Sequence, residues 1–257
     1  MRIGLLTQND PFYLPESIAE FIGKIENSSH ELVVGMVSSA SPYGKKESFF
    51  QRSLKTFRVF GAKFFIHYSI TFITRKFVLR KSVVKELGKK NIKTWILGDS
   101  LNTDININKL KEFDLDIIVI IAGNQILRSE VLKTPKFGVI NAHSSLLPEY
   151  KGLMPAFWAL HQDEKQTGVT VFCLTEGIDD GAIINQQVIE ITRDMTHREL
   201  VIKSKVLANT LLIEALDSIA AGNSFQLKES TLKQGSYYKF PNRRDVNEFI
   251  KHGRKFY

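Results

Sequence analysis

The chain has 257 residues, 43% of them hydrophobic, which suffices for one large core with room for a small addition. A single cysteine, Cys173, excludes an internal disulfide and any Cys-x-x-Cys metal or redox pair, and suits a reducing cytoplasm. The formal charge of +8 draws polyanions such as nucleotide-linked substrates, tRNA or acidic lipid, or is simply a soluble basic surface. The longest uncharged apolar-rich runs, 64–74 and 117–127, span 11 residues each, whereas a membrane-crossing helix needs roughly twenty, so an integral membrane protein is excluded.

Residues 2–7 read as a first strand, interrupted too early by Gln8-Asn9-Asp10 to be a signal peptide. Pro15 opens a helical pattern in which Ile18, Phe21, Ile22 and Ile25 recur at three and four, and Leu32–Val37 follows as a buried strand. This strand–helix–strand opening predicts a parallel sheet with a right-handed crossover. From residue 41 to 82 the pattern changes: Phe57, Phe60, Phe64, Phe65, Tyr68, Phe72 and Phe77 are interleaved with Lys55, Arg58, Lys63, Arg75, Lys76 and Arg80. This is a helix-rich insertion. It reads as a surface meeting the membrane interface or a partner, or as an aromatic layer over the sheet or a dimer contact. Basic and aromatic residues in alternation also suit RNA, although no RNA-module signature accompanies them.

A helix over 82–89 and a strand over 93–97 lead into a polar loop over 98–108, followed by a short helix over 109–113. Leu115–Ala122 is the most apolar stretch and should be the central strand. Ligands of open α/β sheets lie beyond the carboxyl ends of the strands, which makes the turn Gly123-Asn124-Gln125-Ile126-Leu127 a natural binding loop. The apolar run 137–140 then ends a buried strand, and Asn141 and His143, two apart, leave it on the same face. An amide that can donate to an oxygen becoming negative, beside an imidazole that moves protons near neutral pH, suits chemistry at a carbonyl carbon. Residues 144–152 form a loop. A strand over 168–175 ends in the acidic turn Glu176-Gly177-Ile178-Asp179-Asp180-Gly181, and a carboxylate from this turn could orient the imidazole. A second strand over 182–191 lies beside it. Thr196 and Glu199 form a capping box for a long helix over 197–221, ended by Gly222. The division expected is a catalytic domain over 1–222, with the basic aromatic insertion 41–82, and a short appendage over 223–257 with a small helix over 245–253. His30, His67, His161, His197 and His252 form no ligand-spaced pair, so no metal is expected.

The ordered set Asn141-x-His143-x-Ser145-Leu146-Leu147-Pro148, Gly152, Gly168-Val169-Thr170 and Asp179-x-Gly181 closely resembles the folate-dependent formyltransferases, over about residues 1–205. The resemblance implies an α/β, Rossmann-like, mostly parallel twisted sheet with helices on both faces. It implies that Asn141, His143 and Asp179 are catalytic, with Asp179 preferred to Asp180 because it stands two before Gly181. It also implies transfer of a formyl group from N10-formyltetrahydrofolate to a primary amine. The loop residues Gly123, Gln125, Ile126 and Leu127, with Asp179, would hold the folate. Asn9 and Tyr13 of the first turn and Lys151 are candidates for the acceptor, against capping, packing and solvated roles. Family members of the purine pathway carry a Gly-Ser-rich turn where this chain has Thr7–Tyr13, and tRNA-acting members carry a further RNA-binding domain for which the tail is short. By elimination the expected acceptor is a nucleotide-linked amino sugar, with no nucleic acid partner, peripheral membrane contact or homodimerisation resting on 41–82. A tRNA or lipid-linked acceptor and a non-catalytic folate- or nucleotide-binding module are the competing readings.

Overall fold

Alternation within the central strands decides the layering. In Ile117–Ile120 every side chain is buried, but Ile117 and Val119 enter one core while Ile118 and Ile120 enter another on the opposite face. A computed structural model describes residues 1–39, 48–222 and 235–257 of the chain. Its strands are β1 (Arg2–Asn9), β2 (Glu31–Ser39), β3 (Lys93–Ile96), β4 (Ile117–Ile120), β5 (Val139–His143), β6 (Lys151–Gly152), β7 (Gln166–Cys173), β8 (Ile183–Glu190) and β9 (Tyr237–Tyr238). The helices are α1 (Leu14–Glu26), α2 (Phe49–Ile73), α3 (Val83–Lys89), α4 (Asp104–Lys111), α5 (Ser129–Leu132), α6 (Pro155–His161), α7 (His197–Ala220) and α8 (Arg243–Lys251), with a π-helical turn over Thr74–Val78.

Seven strands form one sheet in the order β3-β2-β1-β4-β5-β7-β8. The first five run parallel, β7 runs opposite to β5 and β8 opposite to β7, so the fold is mixed α/β with a mostly parallel sheet. The larger core joins α1, α6, α7 and α8 to one face through Ile18, Phe21, Phe157, Leu212 and Phe249; the second joins α4 and α5 to the other through Ile107, Leu110 and Val131.

The expected polar loop over 98–108 gives way to a helix from Asp104, five residues before the expected start. Thr103 caps it by accepting from the Asn106 amide, and Ile107 and Leu110 are buried under it. Two buried side chains three apart outweigh the weak helix propensity of the asparagines. Of the insertion, residues 41–47 lie outside those described; from Phe49 to Val78 it is helical, as expected. Gly61 (φ 83°, ψ 174°) folds α2 back on itself. The rings of Phe49 and Phe72 stand 5.9 Å apart and those of Phe57 and Phe65 5.6 Å, so the two halves run antiparallel; a straight helix would separate the first pair by about 35 Å.

Residues 235–257 pack against the body. Phe249 is fully buried, with its ring 4.9 Å from Phe157 and 4.6 Å from Phe256, and β9 pairs with β6 in parallel. Among the described residues no helix is long and apolar enough to cross a membrane.

Candidate active site

The carboxyl ends of β1, β4 and β5 open into a cavity of about 1860 Å³, roofed by the α2 hairpin and lined by Asn9, Tyr13, the loop 122–127, Asn141, His143 and Asp179. Strand β5 sets the two central side chains. Ile140 and Ala142 face the larger core, which leaves Asn141 and His143 on the opposite face. The Asn141 amide has no hydrogen-bond partner among the described residues, so both donor and acceptor are available to a ligand. His143 is 8% exposed. Its Nε2 lies 2.8 Å from the Tyr150 carbonyl oxygen, which can only accept, so Nε2 carries hydrogen. Nδ1 is thereby the nitrogen left to exchange a proton, and it faces the Asp179 Oδ2 at 3.6 Å.

The acidic turn brings Asp179 there by a tight backbone approach. Gly181 passes so close to the Cys173 carbonyl oxygen that a Cβ on it would stand 1.5 Å away. Asp179 itself has φ 48°, a left-handed conformation uncommon for a residue with a side chain. Its Oδ2 accepts the Gly152 amide at 2.8 Å, which holds the carboxylate beside the imidazole. The neighbouring Asp180 is used inside the turn, accepting from the Thr175 hydroxyl at 3.0 Å. Ser145 likewise serves its own loop, donating to the Glu149 carbonyl.

The loop after β4 is held by side chains from outside it. Gln8 donates to the Ala122 carbonyl, Asn102 donates to the Ile126 carbonyl, and the Gln125 Oε1 accepts the Leu101 amide at 2.8 Å. Leu127 is buried and Ile126 exposed to the cavity. The backbone amides of Gly123, Gln125, Ile126 and Leu127 make no hydrogen bond among the described residues. A braced loop with unspent backbone donors beside an apolar side chain fits a flat heterocycle such as a pterin, which offers ring edges to the backbone and a face to Ile126.

The remaining expected residues separate. Tyr13 lines the cavity. Asn9 lines it too, but its Oδ1 accepts from the Ser82 hydroxyl and the Val83 amide, both at 3.1 Å, at the start of α3. Lys151 is not among the lining residues, although its neighbour Gly152 is. Sequence reasoning missed Tyr150, whose carbonyl sets the imidazole tautomer, and the pair Arg198 and Lys205, which α7 carries to the far wall beside Asp10 and Tyr13. Burial pushes the Asp10 carboxyl and the Tyr13 hydroxyl up and the Lys205 ammonium down, the last opposed by Asp10. A register signal existed for the α7 pair, since Arg198 and Lys205 are seven apart and share one helix face. Among the described residues no three His, Cys, Asp or Glu side chains are grouped as for a metal ion.

The family model for formyl transferases matches residues 73–216, more than half of the chain. The chain belongs to the formyl transferase family. Among curated relatives, the methionyl-tRNA formyltransferase of Clostridium acetobutylicum is 42% identical over 149 residues, covering 56% of this chain and 47% of the relative. The chain thus spans about half the length of the curated relatives it matches. Solved structures share the formyl transferase fold. A phosphoribosylglycinamide formyltransferase from Anaplasma phagocytophilum superposes with a TM-score of 0.63 at 17% identity, over 93% of this chain and 99% of that one. A sugar N-formyltransferase from a Shewanella species gives 0.58 at 16% identity, over 98% and 87%. The family match begins within α2, so most of the hairpin lies outside it.

Proposed function

We propose that this chain is an N10-formyltetrahydrofolate-dependent N-formyltransferase whose acceptor is a primary amine on a phosphate-bearing molecule. The observation that carries the reading is the meeting of Asn141, His143 and Asp179 on one wall of the cavity in a chain of the formyl transferase family. The folate would lie along the loop 123–127, with its pterin against Ile126 and the free backbone amides.

In the reaction the amine lone pair attacks the formyl carbon and the carbonyl π pair moves to oxygen. Asn141 donates to that oxygen as it becomes negative. The amine loses one proton, which Nδ1 of His143 takes or passes on, and Asp179 balances the charge formed there. Collapse of the tetrahedral centre breaks the bond to N10, and N10 receives the proton. The products are the N-formyl acceptor and tetrahydrofolate.

Two acceptors are supported by different observations. Sequence similarity favours an aminoacylated tRNA, because the curated relatives this chain matches include methionyl-tRNA formyltransferases of Clostridium acetobutylicum and Enterococcus faecalis; this weighs against the sequence-based expectation of no nucleic acid partner and is the stronger support. The cavity favours a nucleotide-linked amino sugar. The side chains of Arg198 and Lys205 have no salt-bridge or hydrogen-bond partner among the described residues and stand on its wall, where phosphate could be held.

The test is formyl transfer by the purified chain from N10-formyltetrahydrofolate to a panel of charged tRNAs and nucleotide-linked amino sugars, read as a mass gain of one formyl group. Transfer to one class assigns the acceptor. Transfer that persists undiminished in Asn141→Ala and His143→Gln would overturn the assignment of the site.

A further inference from the structure

We propose that the α2 hairpin docks the protein on an anionic lipid surface. From Phe60 onward the hairpin has two unlike faces. Phe60, Phe64, Tyr68 and Phe72 turn inward, where Phe60 and Phe64 pack on Phe256 and Tyr68 and Phe72 pack on Phe12. The outward face should then be polar, and it is not. Ile66, Ile70, Ile73 and Phe77, spaced four, three and four, are 58%, 60%, 53% and 62% exposed, and Val78 is 71% exposed. At the open end of the hairpin Phe49 and Phe50 add two more exposed rings.

Charge on the same segment has one sign. Residues 48–85 contain nine Lys and Arg and no Asp or Glu. Arg75 and Lys81 pair with Glu16, but the side chains of Arg58, Lys63 and Arg80 have no partner among the described residues, and Lys76 sits over the rings of Phe72 and Phe77. A second copy of the chain is a poor occupant. Two-fold pairing would set this acid-free segment against itself. RNA would satisfy the bases and stack on the exposed rings of Phe49, Phe50 and Phe77, but Ile66, Ile70, Ile73 and Val78 give nucleobases no stacking surface and would stay wet. An anionic bilayer satisfies both halves of the pattern, since aliphatic side chains enter the acyl boundary while bases meet head groups. The stripe runs from Ile66 to the cavity rim at Ile73 and Phe77, so docking would bring the mouth of the site to the lipid surface.

This inference rests on the hairpin and goes beyond the transfer reaction, and it stands or falls separately from the acceptor. The test uses the full chain, sedimented with phosphatidylcholine vesicles and with vesicles also containing phosphatidylglycerol. The variants are Ile66→Ser/Ile70→Ser and Arg58→Glu/Lys63→Glu, all exposed positions off the cavity lining, with circular dichroism as the control for folding. The expected result is binding only when phosphatidylglycerol is present, weakened about tenfold or more by either double substitution. Three results would overturn it: no co-sedimentation with anionic vesicles, co-sedimentation that neither variant reduces, or light scattering that gives a dimer which the isoleucine variant turns into monomer. Binding of tRNA that the isoleucine variant weakens, with vesicles left unbound, would assign the face to RNA instead.

Discussion

His143 ends β5 and Asp179 lies in the turn between β7 and β8, 36 positions apart in sequence, yet Nδ1 and Oδ2 lie 3.6 Å from each other. The contact exists because the Tyr150 carbonyl holds one side of the imidazole and the Gly152 amide holds the carboxylate. Removing the charge while keeping the shape isolates its role. Asp179→Asn should lower turnover by about 10²–10⁴-fold with little change in melting temperature. Steady-state formyl transfer alongside thermal denaturation checks this; wild-type turnover would rule Asp179 out.

The Asn141 side-chain amide has no partner among the described residues, and the proposed reaction has it donate to an oxygen that gains charge only during reaction. Asn141→Ala should therefore cost about 10²–10³-fold in kcat while leaving KM for the acceptor nearly unchanged. A rise in KM at constant kcat would make Asn141 a ground-state binding residue.

Gly181→Ala should be destabilising by at least about 2 kcal/mol, because a methyl group has no space beside the Cys173 carbonyl oxygen. The turn must then move, carrying Asp179 with it, so turnover should fall together with melting temperature. Urea denaturation at neutral pH measures the first effect and the transfer assay the second.

Phe249→Ala tests whether the tail belongs to the core. The ring is fully buried against Phe157 and Phe256, and its loss should cost about 3–5 kcal/mol. A loss below about 1 kcal/mol in urea denaturation would show that the tail packs loosely.

Burial pushes the His197 imidazole down to about 4 from its usual 6.5. The unfolded chain then binds more protons than the folded one between these values, so stability is fully present above about pH 6.5 and drains away as pH falls toward 4. Acidification from pH 7 to 4 should cost on the order of 3 kcal/mol through this group. His197→Gln should lose correspondingly less stability over the same range in denaturant melts; an unchanged acid dependence would refute the role of His197.

The parts of the site legible in sequence were those carried by one short segment. Asn141 and His143 share a strand, and a strand's period of two puts them on one face whatever surrounds it. The choice of Asp179 over Asp180 came from family resemblance, and in the structure Asp180 is engaged within its own turn. Asn9 and Lys151 show the limit. Both have plausible chemistry, but Asn9 also caps α3 and Lys151 misses the cavity lining. Those outcomes depend on what lies 70 or more positions away, as the Asn9–Val83 contact does at 74.

By itself the sequence determined the α/β class, the order of the main strands and helices, and the pairing of an amide with an imidazole, because hydrophobic period and capping chemistry act over a few residues. Only the tertiary structure decided that α2 doubles back at Gly61, that the tail joins the main core, and that Arg198 and Lys205 face the cavity. It also decided which backbone carbonyl sets the His143 tautomer. Each of these rests on contacts between segments far apart in the chain, whose distances follow from how the layers pack and not from any local pattern.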